Sequence, residues 1–539
     1  MANVTLPAGT EEVVERAIAV FSYVAVTAEK LFFSIPGSVV VSRYVKSSHQ
    51  NDPGRTLLEL GLFLFALVTL LQSRRQTDKA AKNFIKFTEK EIDDLVDEWT
   101  PEPLLPAPSE EERQDLANVP VILGPGGGPR PMLADGRTVL NLTSFNFAGL
   151  ANNAEIKDNC IKVLREYGLG SCGPPGFYGT IDVHSQLESD IATFLGVESS
   201  IIYSQAFAMS STIIPAFCKK GDVIVADAGV NFGIRKGLQN ARSTVRYYRH
   251  NDMQALEELL QSMDRDRKKK GAKLTRRFIV TEGVFENDGA VSDLPKLIEL
   301  KKKYKHRLIL DEALSFGVLG AHGRGLTELY GVEAKEVDIL CGSLAHSVSA
   351  CGGFCAGSTV MVEHQRINSA AVVFSAAMPP MFGVAGSEVL KRLQSSTTPL
   401  DMMRTNLRAA HDVLRQTRGV KIPSDDRSPV IHLVLARTAP SEKTLTVPEA
   451  SYFVTEKAPN ADELRFAVEE KVLQRVVERA LGHGVLITRA RRLRGQENPE
   501  PRPSIRITIS AAMTLEDIKH SCRVVKESVE AVLGEEGLL

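Results

Sequence analysis

The sequence predicts an α/β fold with a largely parallel sheet, followed by a smaller α+β unit and preceded by a membrane-anchoring segment. Three observations carry this reading. From about Val119 onward, short β-branched runs alternate with amphipathic helical stretches; the apolar run Leu57–Leu71 stands before them; and a proline-rich linker lies between the two. At 539 residues the chain exceeds the roughly 250–300 residues at which a single core usually stops growing.

The N-terminal elements come first. Leu57–Leu71 (LLELGLFLFALVTLL) is nearly all apolar and is followed by Arg74, Arg75, Lys79, Lys82 and Lys86. Its apolar residues fall on every helical face, which argues for a span, and the basic cluster after it puts that side in the cytosol. Fifteen residues reach only about 23 Å, against a hydrocarbon core near 30 Å, so a buried globular helix is the competing reading. Ala17–Val41 is apolar but broken by Glu29-Lys30 and Pro36, and is read as membrane contact without a committed span. Glu11, Glu12 and Glu15 stand where a signal peptide would be basic, so no cleaved leader is expected. The boundaries expected are a membrane-anchoring region over 1–78 and a charged helix with its linker over 79–118. A large domain over 119–396 and a small C-terminal domain over 397–539 follow.

Within the large domain, Ser200–Tyr203, Val223–Val225, Phe278–Thr281, Arg307–Leu310 and Ile339–Cys341 read as strands. Asp252–Met263 and Leu294–Lys303 read as helices, and such alternation argues for a parallel sheet. In the small domain the strands fall near Pro429–Leu435 and Ile505–Ile509, and the helices near Leu464–Leu481 and Leu515–Leu533. Arg437–Asn460 is polar and proline-broken, as an exposed insertion would be.

Composition removes some function classes. Lys plus Arg (65) balances Asp plus Glu (66), which excludes nucleic-acid binding driven by phosphate charge. The seven cysteines lack paired C-x-x-C spacing, so no metal site is expected and they are read as reduced, mostly buried thiols.

Gly170–Glu188 (GSCGPPGFYGTIDVHSQLE) resembles the glycine-rich loop and G-T-x-x-x-H-x-x-L-E signature of the α-oxoamine synthases. These are pyridoxal-phosphate enzymes that join an amino acid to an acyl-CoA with loss of carbon dioxide. Ser144–Gly149, Thr281–Gly289, Asp311–Gly325 and Phe374–Pro380 match further family blocks in the family's order, so the resemblance covers about Val119 to Leu533. It implies a fold-type I PLP-dependent aminotransferase-like architecture, assembled as a dimer with active sites at the interface.

That chemistry needs a lysine to form a Schiff base with the cofactor and an acid to keep its pyridine nitrogen protonated. Asp311 matches the acid, but His346 stands in the lysine's place, in Gly342–His346 ahead of Gly352-Gly353. No lysine lies between Lys335 and Lys391. The resemblance also places Asn231 where the family stacks a histidine on the ring and Leu314 for the histidine of D-E-A-H. It sets Glu286 for the serine at the ring hydroxyl, Ala206 for a glycine of the phosphate turn and Met513 for a histidine. Arg506 matches a carboxylate-binding arginine, with a purely structural role as the alternative. His184 and Asp311 are equally open to structural readings, as a buried hydrogen-bonded histidine and a retained polar partner.

A chain that keeps fold and interface loop but loses the cofactor site resembles the lysine-less subunits of eukaryotic serine palmitoyltransferases within this family. The resemblance implies no catalytic residue in this chain, and pyridoxal 5'-phosphate bound covalently by a lysine-bearing partner subunit in a heterodimer. Cys172, Gly173, Gly176 and Ser375 would reach the partner's site. It further implies a small activating subunit, membrane regulators and an endoplasmic reticulum location with the large domain facing the cytosol. The rival expectations are an active homodimeric synthase and a non-enzymatic scaffold regulating lipid synthesis.

Overall fold

A computed structural model describes residues 36–81, 87–101, 116–269, 275–436, 461–491 and 500–539, with isolated positions at 22, 26–27, 30–34, 113 and 271. Side chains at 72–81 and 461–464 fall outside that description, as do Lys82, Lys86, part of Ala17–Val41 and all of the expected insertion Arg437–Asn460. The chain forms two compact units, Met1–Leu104 and Leu105–Leu539.

In the first unit, helix α1 (Ser38–Asn51) turns at Asp52 into helix α2 (Pro53–Ala81), and a short helix α3 (Glu89–Glu98) follows. Pro53 suits a first helical position, where its missing N–H costs nothing. Thr56 Oγ1 donates to Ser48 Oγ at 2.9 Å and Tyr44 donates to Glu59 at 3.3 Å, tying α1 to α2. Because the helix starts at Pro53, its apolar part is Pro53–Leu71, 19 residues rather than the 15 of the sequence reading. Nineteen residues rise about 28 Å, close to a hydrocarbon core. None of this stretch's apolar window is buried, and the consecutive residues Leu62, Phe63, Leu64 and Phe65 are all exposed, so no polar face exists. It is the one helix among the described residues long and apolar enough to cross a membrane.

The second unit is built on a seven-stranded sheet. Its strands are β1 (Ser199–Tyr203), β2 (Val223–Asp227), β3 (Thr244–Tyr248), β4 (Arg277–Glu282), β5 (Arg307–Asp311), β6 (Ile339–Ser343) and β7 (Gly353–Gly357), in the order β1-β7-β6-β5-β4-β2-β3. Only β7 runs antiparallel, against both β1 and β6; the other pairs are parallel. Side chains alternate between faces as the pleat requires. Ile279, Leu308, Leu310 and Leu340 join one core with Leu187, Ile191, Leu256 and Leu297, while Phe278, Val280, Ile309 and Cys341 join another with Met209, Ile213, Ile234 and Leu238. Helices thus cover both faces, and the central strands are continuous apolar runs for that reason.

A second, antiparallel sheet follows in the order β8-β9-β11-β10, from β8 (Val420–Lys421), β9 (Val430–Leu435), β10 (Thr488–Arg489) and β11 (Ile505–Thr508). It shares a separate core with helices 398–414, 461–482 and 515–535. The pair Leu140–Asn141 and Val485–Leu486 is parallel and joins the start of the unit to this end of the chain. Together these elements form the mostly parallel large sheet and small α+β part of an aminotransferase-like fold.

Candidate active site

Six strands of the large sheet point the same way, so the loops after their carboxyl ends converge in the crevice where open α/β sheets place ligands. Ser204 follows β1, Asn231 follows β2, Glu286 follows β4, Leu314 follows β5 and His346 follows β6. Arg506 enters from β11 of the second sheet. The cleft is therefore an outcome of strand order, and its residues are scattered over more than 300 positions of sequence.

Asp311 is buried at the end of β5 and accepts from Ser210 Oγ and from the Ala313 N–H, both at 2.9 Å. Burial raises its pKa against those hydrogen bonds. Neighbouring Glu282 is also buried and held well above the carboxylate range by burial and by Asp311. Glu282 accepts the Asn231 N–H at 2.6 Å and the Glu286 N–H at 3.3 Å. The Asn231 side-chain oxygen accepts the Ile234 N–H, capping helix Phe232–Ala241, and its amide faces Glu282 and Asp311. Leu314 is buried in the core.

His346 Nδ1 lies 2.8 Å from the Ala313 carbonyl, which can only accept, so Nδ1 carries the proton. Burial lowers the ring's pKa, so it is a neutral imidazole. Phe145 packs on it with centroids 4.8 Å apart, and the Arg506 guanidinium lies 4.6 Å from the centroid of the same Phe145 ring. Glu286 opens to solvent from the cleft, yet the surrounding protein raises its carboxyl pKa, with Arg506 opposing. The structure thus brings Asn231, Glu286, Asp311, His346 and Arg506 to one cleft.

The Glu286 loop is fixed from behind. His250 bonds Asp227 through Nδ1 at 2.8 Å and Asp288 through Nε2 at 2.9 Å. Carboxylates accept at both ring nitrogens, so the ring is imidazolium; burial works against the charge, but the two hydrogen bonds outweigh it and raise the pKa to about 10. Asn287 Nδ2 donates to the Gly229 carbonyl at 3.2 Å, and Ser424 Oγ to the Asp288 carbonyl at 2.6 Å.

These groups do not fit a covalently held pyridoxal phosphate. The imidazole of His346 offers no primary amine for a Schiff base, and the Glu286 carboxyl stands in the same cleft. No group of three or more His, Cys, Asp or Glu able to hold a metal occurs among the described residues.

The glycine-rich loop lies elsewhere on the same unit. Cys172 is exposed and left-handed at φ 55°, and Pro175–Gly179 forms a single wide turn with Tyr178 at φ 64°. The Gly173 carbonyl accepts the Ala377 N–H at 2.9 Å, which docks the loop on the segment carrying Ser375, itself 3.2 Å from Ser204 Oγ. A Cβ at Gly179 would collide with the Gly173 and Pro174 carbonyls, so the turn requires glycine there. Gly176 is exposed, as are Phe177, Tyr178 and Phe374, the last two at 100% and 84%. His184 is buried, accepting the Ile181 N–H at Nδ1 (3.2 Å) and donating from Nε2 to the Met378 carbonyl (2.6 Å). It is a structural clasp between loop and segment.

Phe145, Ser210, Glu282 and His250 are the site residues that sequence reasoning missed. Phe145 and Glu282 lie inside matched blocks, where a signal existed; Ser210 and His250 lie outside any block.

Fold and cleft define a member of the aminotransferase class I and II family, whose model matches residues 137–525. Serine palmitoyltransferase 1 of Saccharomyces cerevisiae is 36% identical over 96% of this chain and 98% of its own length. Long chain base biosynthesis protein 1b of Oryza sativa subsp. japonica is 42% identical over 70% of this chain and 76% of its own. The chain belongs, within that family, to the group of serine palmitoyltransferase 1 and long chain base biosynthesis protein 1 proteins. Among solved structures, a Sphingomonas wittichii serine palmitoyltransferase matches with TM-score 0.65 and 22% identity, over 80% of this chain and 97% of that one. A serine palmitoyltransferase from S. paucimobilis with a bound PLP–myriocin aldimine matches with TM-score 0.65 and 21% identity, over 80% and 97%. These two likenesses concern the fold.

Proposed function

We propose that this chain is the non-catalytic but required subunit of a serine palmitoyltransferase, which condenses L-serine with palmitoyl-CoA to 3-oxosphinganine, carbon dioxide and CoA, the first step of sphingolipid synthesis. The observation that carries the reading is His346, a neutral imidazole held by the Ala313 carbonyl where the cofactor lysine would stand. Imidazole has no primary amine, so this cleft cannot form the Schiff base the chemistry needs. The cofactor is held by a lysine-bearing partner subunit, and this chain completes that partner's site. Cys172, Gly173, Gly176 and Ser375 supply a small, tightly turned wall to it, and the exposed aromatics Phe177, Tyr178 and Phe374 form the adjoining contact. The exposed apolar helix α2 anchors the heterodimer in the endoplasmic reticulum membrane, with the large domain on the cytosolic side. A small activating subunit and membrane regulators complete the assembly. The expected domain boundaries, 119–396 and 397–539, separate a cofactor-type domain from a small C-terminal one.

Borohydride reduction of the purified heterodimer, followed by peptide mapping, tests this directly. Pyridoxyl label is expected on the partner's lysine and on no residue of this chain; label on this chain, or PLP-dependent turnover by this chain purified alone, overturns the proposal.

A further inference from the structure

Helix α3 (Glu89–Glu98) is short, and none of its residues is buried. A lone helix of this length is marginal in water, yet the sequence equips it fully at its start. Thr88 accepts the Glu91 N–H at 3.3 Å and Glu91 accepts the Thr88 N–H at 2.7 Å, a reciprocal capping box. Phe87 and Ile92 stand at the positions of a hydrophobic staple across that cap. Ile92, Leu95, Val96 and Trp99 follow at i, i+3, i+4 and i+7, the spacing by which a helix inserts one apolar face into a groove, and all four are exposed. The other face carries Glu89, Glu91, Asp93, Asp94, Asp97 and Glu98 against a single Lys90.

Charge decides what covers the apolar stripe. Helices that lie on membranes carry Lys and Arg on the polar face, because cytosolic lipid surfaces are anionic. Six carboxylates beside one lysine are repelled by such a surface. A second copy of α3 would set the same acidic face against itself. The chain's own basic run, Arg74 to Lys86, complements the charge but offers only Phe84 and Ile85 as adjacent apolar residues, too few to bury a four-residue stripe. We infer that α3 is a docking helix for another polypeptide, one presenting an apolar groove edged by lysine or arginine. This inference does not depend on which subunit holds the cofactor.

The test uses particles purified from membranes on a tag carried by the full chain. Zero-length carbodiimide coupling joins carboxylates to lysines that touch them, and peptide mapping identifies both ends. Links from Glu89–Glu98 to lysines of a different, sequenced polypeptide are expected. Backbone amides of the helix should also exchange at least tenfold more slowly than in a free peptide of the same sequence. Leu95→Ser should abolish that protection, and D93N, D94N and D97N together should lower it; these side chains are unburied, so neither variant threatens folding. Links confined to this chain's own lysines, or amides exchanging as in the free peptide, overturn the inference. So does equal protection when the chain alone is placed on phosphatidylcholine vesicles, with or without phosphatidylserine, which would make the occupant lipid.

Discussion

His250 shows how a single side chain outside the cleft sets its geometry. Asp227 is wholly buried and relies on His250, with help from the Gly229 and Asn251 N–H groups at 2.6 and 2.7 Å. Asp288 takes the other ring nitrogen and holds the loop that carries Glu286. Since folding raises the histidine pKa from 6.5 to about 10, the stabilisation is complete below the unfolded value and is lost as pH rises through about 10. A His250→Gln variant should therefore unfold at lower temperature than the parent at pH 7, with the gap closing between about pH 7 and 10. Breaking a buried charge pair costs about 3–5 kcal/mol, and the two remaining N–H donors put this case at the low end. A gap that does not change with pH would mean that the ring is neutral here.

At the scale of elements, α2 is decided by where it begins. Leu57–Leu71 alone falls short of a membrane; the turn at Asp52 and the start at Pro53 lengthen the apolar helix to 19 residues. Placing a charge at its middle should be felt, because an arginine at a helix centre costs about 2.5–3.5 kcal/mol of insertion free energy. Leu62→Arg, in the chain expressed without partners, should greatly reduce the fraction that resists alkaline extraction. Unchanged resistance would place the anchor outside α2. The glycine-rich turn is the complementary case, a local element held by contacts far away in sequence. Its hydrogen bonds run to Ala377 and inward through His184 to Met378, while Phe177 and Tyr178 face solvent.

For the whole molecule, those aromatics together with Phe374 are large apolar side chains grouped on adjoining segments, the kind of surface that soluble monomers rarely leave open. Tyr178→Asp and Phe374→Asp should each weaken association with the partner subunit proposed above, by about 2 kcal/mol or roughly thirty-fold if they are central anchors. Quantitative co-purification measures this, and the thermal midpoint of the chain alone should stay unchanged because neither ring packs internally. Unchanged association with both aspartates present would move the contact surface elsewhere.

Much of the architecture was already legible in the residues themselves, because the period of an apolar pattern reports how an element faces its own surroundings. Five of the seven large-sheet strands and two of the three helices packed on the small sheet follow from it, and His346 stands in the sequence where the family resemblance expects a lysine. Strand β3 was not legible because its residues Thr244, Arg246 and Tyr247 are exposed on a sheet edge, leaving no apolar run. Strand β7 was hidden by its glycines, and only pairing with β1 and β6 makes it a strand. The contacts of the cleft belong to the same class. That Phe145 lies between Arg506 and His346, that Ser210 holds Asp311 and that His250 anchors the Glu286 loop are consequences of strand order and helix placement. Residues far apart in sequence meet only when the sheet assembles, so no local pattern announces them, and tertiary structure alone decided them.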